Sequence, residues 1–197
     1  MIEETQISAA FERFDRANSE DPNVEIVDRI EVPKELIYAK RMSAWLSKIS
    51  PDASTPLRLA ARAQHIQRWK SPRSSYPMDR IGYLRWRTEL KKFHAETAGK
   101  ILAEVGFDPE IIKRTQTLIL KENLSTDPET QTLEDVICLV FLENYFANFS
   151  QAHDPEKVID IVRKTWKKMS EAGHQAALGL DYAPEALSLI QRALSGS

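Results

Sequence analysis

Two histidines bracket the most basic stretch of the chain, His65-IQRWKSPRSSYPMDRIGYLRWRTELKKF-His94. An imidazole can ligate a metal, move a proton near neutral pH, or pack as a neutral ring. Between the two stand eight Lys/Arg and only two acids, Asp79 and Glu89, a local charge of +6. A guanidinium holds phosphate through paired donors and an ammonium holds it as a point charge. Arg68, Arg73, Arg87 and Lys91 are therefore candidate phosphate contacts, and Trp69 or Trp86 could stack a base or wall the pocket. Like charges crowded this densely repel one another in the compact state, and a site for an anion explains them.

The two histidines differ in setting. His65 shares a helical face with Arg58, Arg62, Arg68 and Trp69, and positive neighbours resist its protonation. His94 follows Arg87 and Lys91 at i, i+4 and i+7 and completes a cationic stripe. Asp135 in QTLEDVICLVFLENYF has Cys138, Leu139 and Leu142 three, four and seven residues further on, which puts its carboxylate at the edge of a core face. A charge there requires a base or a divalent cation as partner. Glu134 either caps the helix start or joins the same site. Residues 122–143 contain six acids and no base, a charge that offsets the basic segment across a helix interface. Lys121 in TLILKEN and Lys164 in RKTWKKMS are further bases that could reach the same anion.

These residues need a scaffold, and the pattern is helical nearly throughout. Helices are expected over 5–17, 33–49, 54–70, 80–105, 109–123, 128–148, 155–171 and 184–194, with loops at 18–32 and 72–79. Asp-Pro pairs at 108–109, 127–128 and 154–155 read as N-caps followed by proline at the first helical position. Gly106 and Gly173 read as helix stops, and His153 and His174 fall near helix ends. No period-2 segment stands out. The expected class is all-α, a single-domain helical bundle of about eight helices over 1–197, with an N-terminal helix in 1–20 and a frayed tail at 195–197.

Composition narrows the function. The chain has 197 residues, 42% of them apolar, which suits one globular domain. One cysteine, Cys138, excludes an intramolecular disulfide and fits a reducing, cytoplasmic setting, with the thiol buried in the apolar run around it. The acidic, amphipathic N-terminus does not read as a targeting signal, and no apolar run approaches a membrane span. A net charge of −2 argues against nucleic acid as the partner. Gly-rich phosphate loops, GxSxG, HExxH and CxxC motifs are absent.

The segments LAARAQHIQRWKSPRSSYP, GYLRWRTELKKFHAETAGKIL, QTLEDVICLVFLENYF and KTWKKMS resemble the DUF4202 family, a domain of unknown function, over roughly residues 20–190. A looser resemblance runs to the HD-domain metal-dependent phosphohydrolases, helical enzymes in which two histidines and two aspartates hold a divalent metal that activates water. It implies an HD-like fold. His65 would match the first histidine, His94 the histidine of the HD pair and Asp135 the final aspartate, so that the three would hold Mn, Mg, Fe or Co. Ala95 stands where the adjacent aspartate belongs, Lys121 falls where many such proteins have a further histidine, and Glu96 or Glu134 could substitute as ligand. The expected function is a phosphohydrolase acting on a nucleotide or other small phosphorylated compound. His65, His94, Asp135 and Glu134 would be its catalytic set, and Arg62, Arg68, Trp69, Arg73, Arg87, Lys91, Lys121 and Lys164 would contact substrate. The alternatives are a non-catalytic module for a phosphate-bearing ligand, or a protein that binds RNA or another protein through the basic-aromatic patch.

Overall fold

The computed structural model describes residues 2–195, so the end of the expected tail, Gly196-Ser197, lies outside the described residues. The chain is all-α with one small hairpin. In order it forms α1 (Ile2–Ser19), β1 (Val24–Val27), β2 (Ile30–Pro33), α2 (Lys34–Ile49), α3 (Thr55–Ala63), α4 (Arg80–Val105), α5 (Pro109–Leu120), α6 (Pro128–Asn144), α7 (Phe146–Gln151), α8 (Pro155–Trp166), α9 (Glu171–Leu178) and α10 (Pro184–Leu194). Short 3-10 turns occupy Arg68–Lys70 and Arg73–Ser75.

Helix α3 carries Leu57, Leu59, Ala60, Ala61 and Ala63, all buried, so it is apolar nearly all round and sits in the middle of the bundle. It packs against α1, α2, α5 and α6, while α4 packs on α5 and α1. Helix α9 lies on α6, and α10 packs on α8 and α7. One cluster of buried apolar side chains runs from Ile7 to Ala193. Cys138 lies in it at 5% exposure, and burial pushes its thiol up to about 12. No helix among the described residues is long and apolar enough to cross a membrane.

Several boundaries follow local chemistry. The Asp127 and Asp154 side chains accept N–H bonds at the starts of α6 and α8, each followed by proline. Gly106 ends α4 at φ 91°.

Others depart from the sequence reading. Residues 24–33 form a hairpin where a loop was expected; its two-residue turn puts Asp28 and Arg29 at φ 50° and 67°, with neither glycine nor asparagine to announce it. The helix expected over 54–70 stops at Ala63, because Gln67 takes a left-handed conformation and its N–H goes to Asn18 Oδ1. The helix over 109–123 stops at Leu120, and Lys121 turns left-handed. The helix over 128–148 breaks at Tyr145. The helix over 155–171 ends at Trp166, and Gly173 lies in the first turn of α9 instead of ending a helix. Ten α-helices therefore replace the eight expected among the described residues.

Candidate functional site

A cavity of about 430 Å³ opens where five parts of the chain meet. Its walls are the first turn of α2, the turn after α3, the first half of α4, Lys121 beyond α5, and the region around the α6–α7 junction. This volume lies within the range of small-molecule sites.

Glu35 and Tyr38 come from α2, whose buried stripe runs through Glu35, Tyr38, Ala39, Met42, Trp45 and Leu46. Asp21 accepts the Glu35 backbone N–H at 3.1 Å and so caps the helix from beyond the hairpin. Arg41 bridges that hairpin to the far wall, pairing with Glu25 at 2.6 Å and donating to the Tyr145 hydroxyl at 2.9 Å.

His65 lies in the turn after α3. Its ring stacks on Tyr38, with centroids 4.0 Å apart and planes 9° from parallel. Arg68 Nη1 is 3.3 Å from His65 Nε2. A guanidinium only donates, so Nε2 accepts and the ring proton sits on Nδ1, which is 3.4 Å from Glu35 Oε2. Burial, reinforced by Arg68, Lys121, Lys34 and Arg87, holds His65 well below its ordinary pKa.

His94 lies in the middle of the buried face of α4, between Leu90 and Ala98, at 2% exposure. Its Nδ1 donates to the Ile66 carbonyl at 2.8 Å, which leaves Nε2 as a bare acceptor. Burial, then His65, push its pKa down to about 3, with Arg68 adding to the fall. Both imidazoles are neutral, and their centroids lie 5.9 Å apart.

The charged lining is lopsided. Lys34, Arg68, Arg87, Lys91 and Lys121 face the cavity, and Glu35 is the one carboxylate among them. Burial pushes the Glu35 carboxyl up to about 7; Asp21 adds to the rise, and Arg68 and Lys34 oppose it. Among the described residues no carboxylate comes within ion-pair distance of Lys34, Arg87 or Lys91. Burial lowers the Lys91 pKa, with Lys121 and Arg87 adding to it. Lys121 pairs with Glu134 at 2.5 Å behind the wall. Burial would raise the Glu134 carboxyl, but Lys121, helped by Lys168 and Arg87, outweighs it and holds the group below its usual range.

Of the residues singled out in the sequence, the structure gathers His65, His94, Arg68, Trp86, Arg87, Lys91 and Lys121 around this cavity. The others lie elsewhere. Arg62 is bound to Asp15 and Ser43, and Arg73 donates to the Tyr76 and Asp79 carbonyls to brace the loop before α4. Trp69 falls in a 3-10 turn outside the cavity lining. Lys164 is exposed and paired with Asp160 one turn earlier on α8. Trp86, in the lining, carries Arg68 over its ring at 5.1 Å.

Sequence reasoning missed Lys34, Glu35, Tyr38, Gln64 and Tyr145. A signal for the α2 pair was present: extending the Trp45-Leu46 stripe back in helical steps lands on Met42, Tyr38 and Glu35.

A divalent metal would need His65, His94 and Asp135 to converge, and they do not. Asp135 is committed to α9, accepting from the Ser170 backbone N–H at 2.8 Å, the Ser170 hydroxyl at 2.5 Å and Gln131 Nε2 at 3.1 Å. Its Oδ1 is so close to Gly173 that a Cβ there would lie 2.7 Å away. Glu134 is held by Lys121, and Glu96 is exposed. No group of three His, Cys, Asp or Glu side chains among the described residues has a metal-holding arrangement. The donor set does not fit a metal centre.

No curated protein and no solved structure matches the chain. The family described as domain of unknown function DUF4202 matches residues 8–190, nearly the whole length and every element that lines the cavity. The chain belongs to the DUF4202 family.

Proposed function

We propose that the protein recognises a small phosphate-bearing compound, a nucleotide or another phosphorylated metabolite, in the cavity between α2, α4 and the α6–α7 junction. The observation that carries this reading is the set of five cationic side chains facing a single carboxylate in a half-open, aromatic-walled cleft. Arg87 and Lys91 stand one turn apart on α4 with no carboxylate partner, Arg68 enters from the turn after α3, and Lys34 stands at the start of α2. A phosphate would neutralise charges that otherwise repel one another, and His65 and His94, both held well toward their neutral forms, add nothing to that positive charge. Among the described residues there is no donor set for metal-assisted hydrolysis, so recognition is the function proposed.

Direct contact with RNA through an exposed aromatic patch fits less well. Trp86 is buried and its Nε1 donates to the Ser71 carbonyl at 2.9 Å, so the ring is not offered to solvent.

The test is calorimetric titration and thermal melting with inorganic phosphate, adenosine monophosphate and sulfate. Saturating phosphate compounds should raise the melting temperature in proportion to the logarithm of their concentration. Arg87→Ala and Lys91→Ala should each weaken binding about tenfold or more, the range expected for charge-assisted hydrogen bonds. Absence of any shift at millimolar phosphate compounds would overturn the reading.

A further inference from the structure

Five buried side-chain nitrogen or oxygen atoms among the described residues have no hydrogen-bond partner, and four of them belong to residues lining this cavity. They are Glu35 Oε2, Tyr38 OH, Gln64 Oε1 and His94 Nε2, on residues that are all more than nine-tenths buried. A buried polar atom left without a partner costs free energy in the unliganded protein. Such a cluster along one wall marks groups that a ligand completes.

The chemistry of these atoms specifies what the ligand must bring. His94 Nδ1 faces a carbonyl, which only accepts, so Nε2 presents a lone pair. Glu35 Oε2 and Gln64 Oε1 are oxygens that accept no hydrogen bond, His65 Nδ1 standing beside the former only at 3.4 Å, and the Tyr38 hydroxyl can serve in either sense. His65 ties the patch together, stacked on Tyr38 and beside Glu35 and His94. The cavity is therefore divided. The cationic donors Lys34, Arg68, Arg87 and Lys91 call for an anion, while the buried, acceptor-rich wall calls for donors. A phosphate dianion only accepts and cannot satisfy that wall.

We infer that the ligand is a phosphorylated polyhydroxy compound, a sugar or polyol phosphate, whose hydroxyls donate to Glu35, Gln64 and His94 while Arg87 and Lys91 hold its phosphate. This rests on the phosphate-recognition reading and sharpens it. The Tyr38 hydroxyl accepts from or donates to a further hydroxyl. An analogue without hydroxyls leaves the buried wall unsatisfied, and sites of this kind discriminate strongly against such analogues.

The experiment compares methyl phosphate, ribose 5-phosphate and sorbitol 6-phosphate by calorimetry on the full chain. At least one of the two hydroxylated esters should bind about tenfold or more tightly than methyl phosphate. Tyr38→Phe and Gln64→Leu should each cut that advantage about fivefold and leave methyl phosphate binding within about twofold. Neither variant should melt below the wild type when unliganded, because each removes a buried atom that had no partner. If methyl phosphate binds as well as both hydroxylated esters, the hydroxyl assignment is wrong while phosphate recognition stands. If adenosine monophosphate binds more tightly than methyl phosphate and its 2′,3′-dideoxy analogue binds equally well, the donors come from a base and the assignment again fails. If neither these compounds nor inorganic phosphate binds, phosphate recognition fails and this inference with it.

Discussion

Glu35 Oε2 lies 3.4 Å from His65 Nδ1, and each partner is held by a contact of its own: Asp21 fixes the Glu35 backbone, and Arg68 fixes the His65 tautomer. The pair joins the acidic and cationic parts of the cavity, and its charge state depends on burial.

That dependence has a sign. The Glu35 carboxyl sits at about 7 in the fold, against an ordinary value of 4.5. Its contribution to stability is fully present below about pH 4.5, where both states are neutral. It is lost as pH rises to about 7, because the unfolded chain ionises first. Glu35→Gln should therefore be more stable than wild type at pH 8, by up to about 3 kcal/mol, and should lack the wild-type decline between pH 5 and 8. Urea denaturation of both proteins at the two pH values measures the difference. Parallel pH profiles would mean that Glu35 ionises in the fold as freely as it does in the unfolded chain.

Lys121 combines two features that separate by substitution. It pairs with Glu134, whose side chain is 6% exposed, and its backbone is left-handed at φ 59°. Removing one member of a buried pair typically costs about 3 kcal/mol, whereas glycine at a left-handed position relieves about 1 kcal/mol of backbone strain. Lys121→Ala should be strongly destabilised and Lys121→Gly less so, by about that 1 kcal/mol. Equal losses in guanidinium denaturation would show that the backbone there is not strained.

The cationic stripe was legible in the sequence, whereas its counterpart on α2 was not. Arg87, Lys91 and His94 follow helical spacing within one uninterrupted helix, so their shared wall could be read directly. Glu35 stands in the first turn of a helix, where an acid usually reads as a solvated partner of the helix dipole. Its burial depends on Asp21 and on a hairpin whose turn carries neither glycine nor asparagine. The end of α3 was hidden in the same way. Ala63-Gln64-His65-Ile66 contains no helix breaker, and the turn is held by Asn18 from α1. The apolar neighbours of Asp135 correctly announced a buried carboxylate, but its partner, Ser170, lies 35 residues further on.

Lys91 is half-buried among like charges, with Arg87 and Lys121 both disfavouring its protonated form. Crowding of this kind destabilises the unliganded protein while serving the ligand. Lys91→Met should therefore raise the melting temperature in phosphate-free buffer and lower the affinity for phosphate compounds about tenfold. Melting curves with and without ligand test both halves. A variant that melts lower in both conditions would place Lys91 in the scaffold and outside the binding wall.

Asp135 provides the sharpest separation between scaffold and site. Its carboxylate receives the Ser170 N–H and hydroxyl, and the Ser170 oxygen in turn accepts the Gly173 N–H, so one acid anchors the start of α9 on α6. Asp135→Ala would leave a buried N–H and hydroxyl without their acceptor, a loss of about 2–3 kcal/mol. Gly173→Ala would press a Cβ against Oδ1 and should destabilise through the same contact. Because the two substitutions damage one junction, the double variant should lose less than the sum of the single losses. Neither should change the affinity for phosphate compounds by more than about twofold, since the contact lies outside the cavity lining. Chemical denaturation combined with calorimetry measures both quantities. If Asp135→Ala abolished ligand binding at a temperature where the protein stays folded, the acid would belong to the site, and the assignment of Asp135 to the scaffold would be wrong.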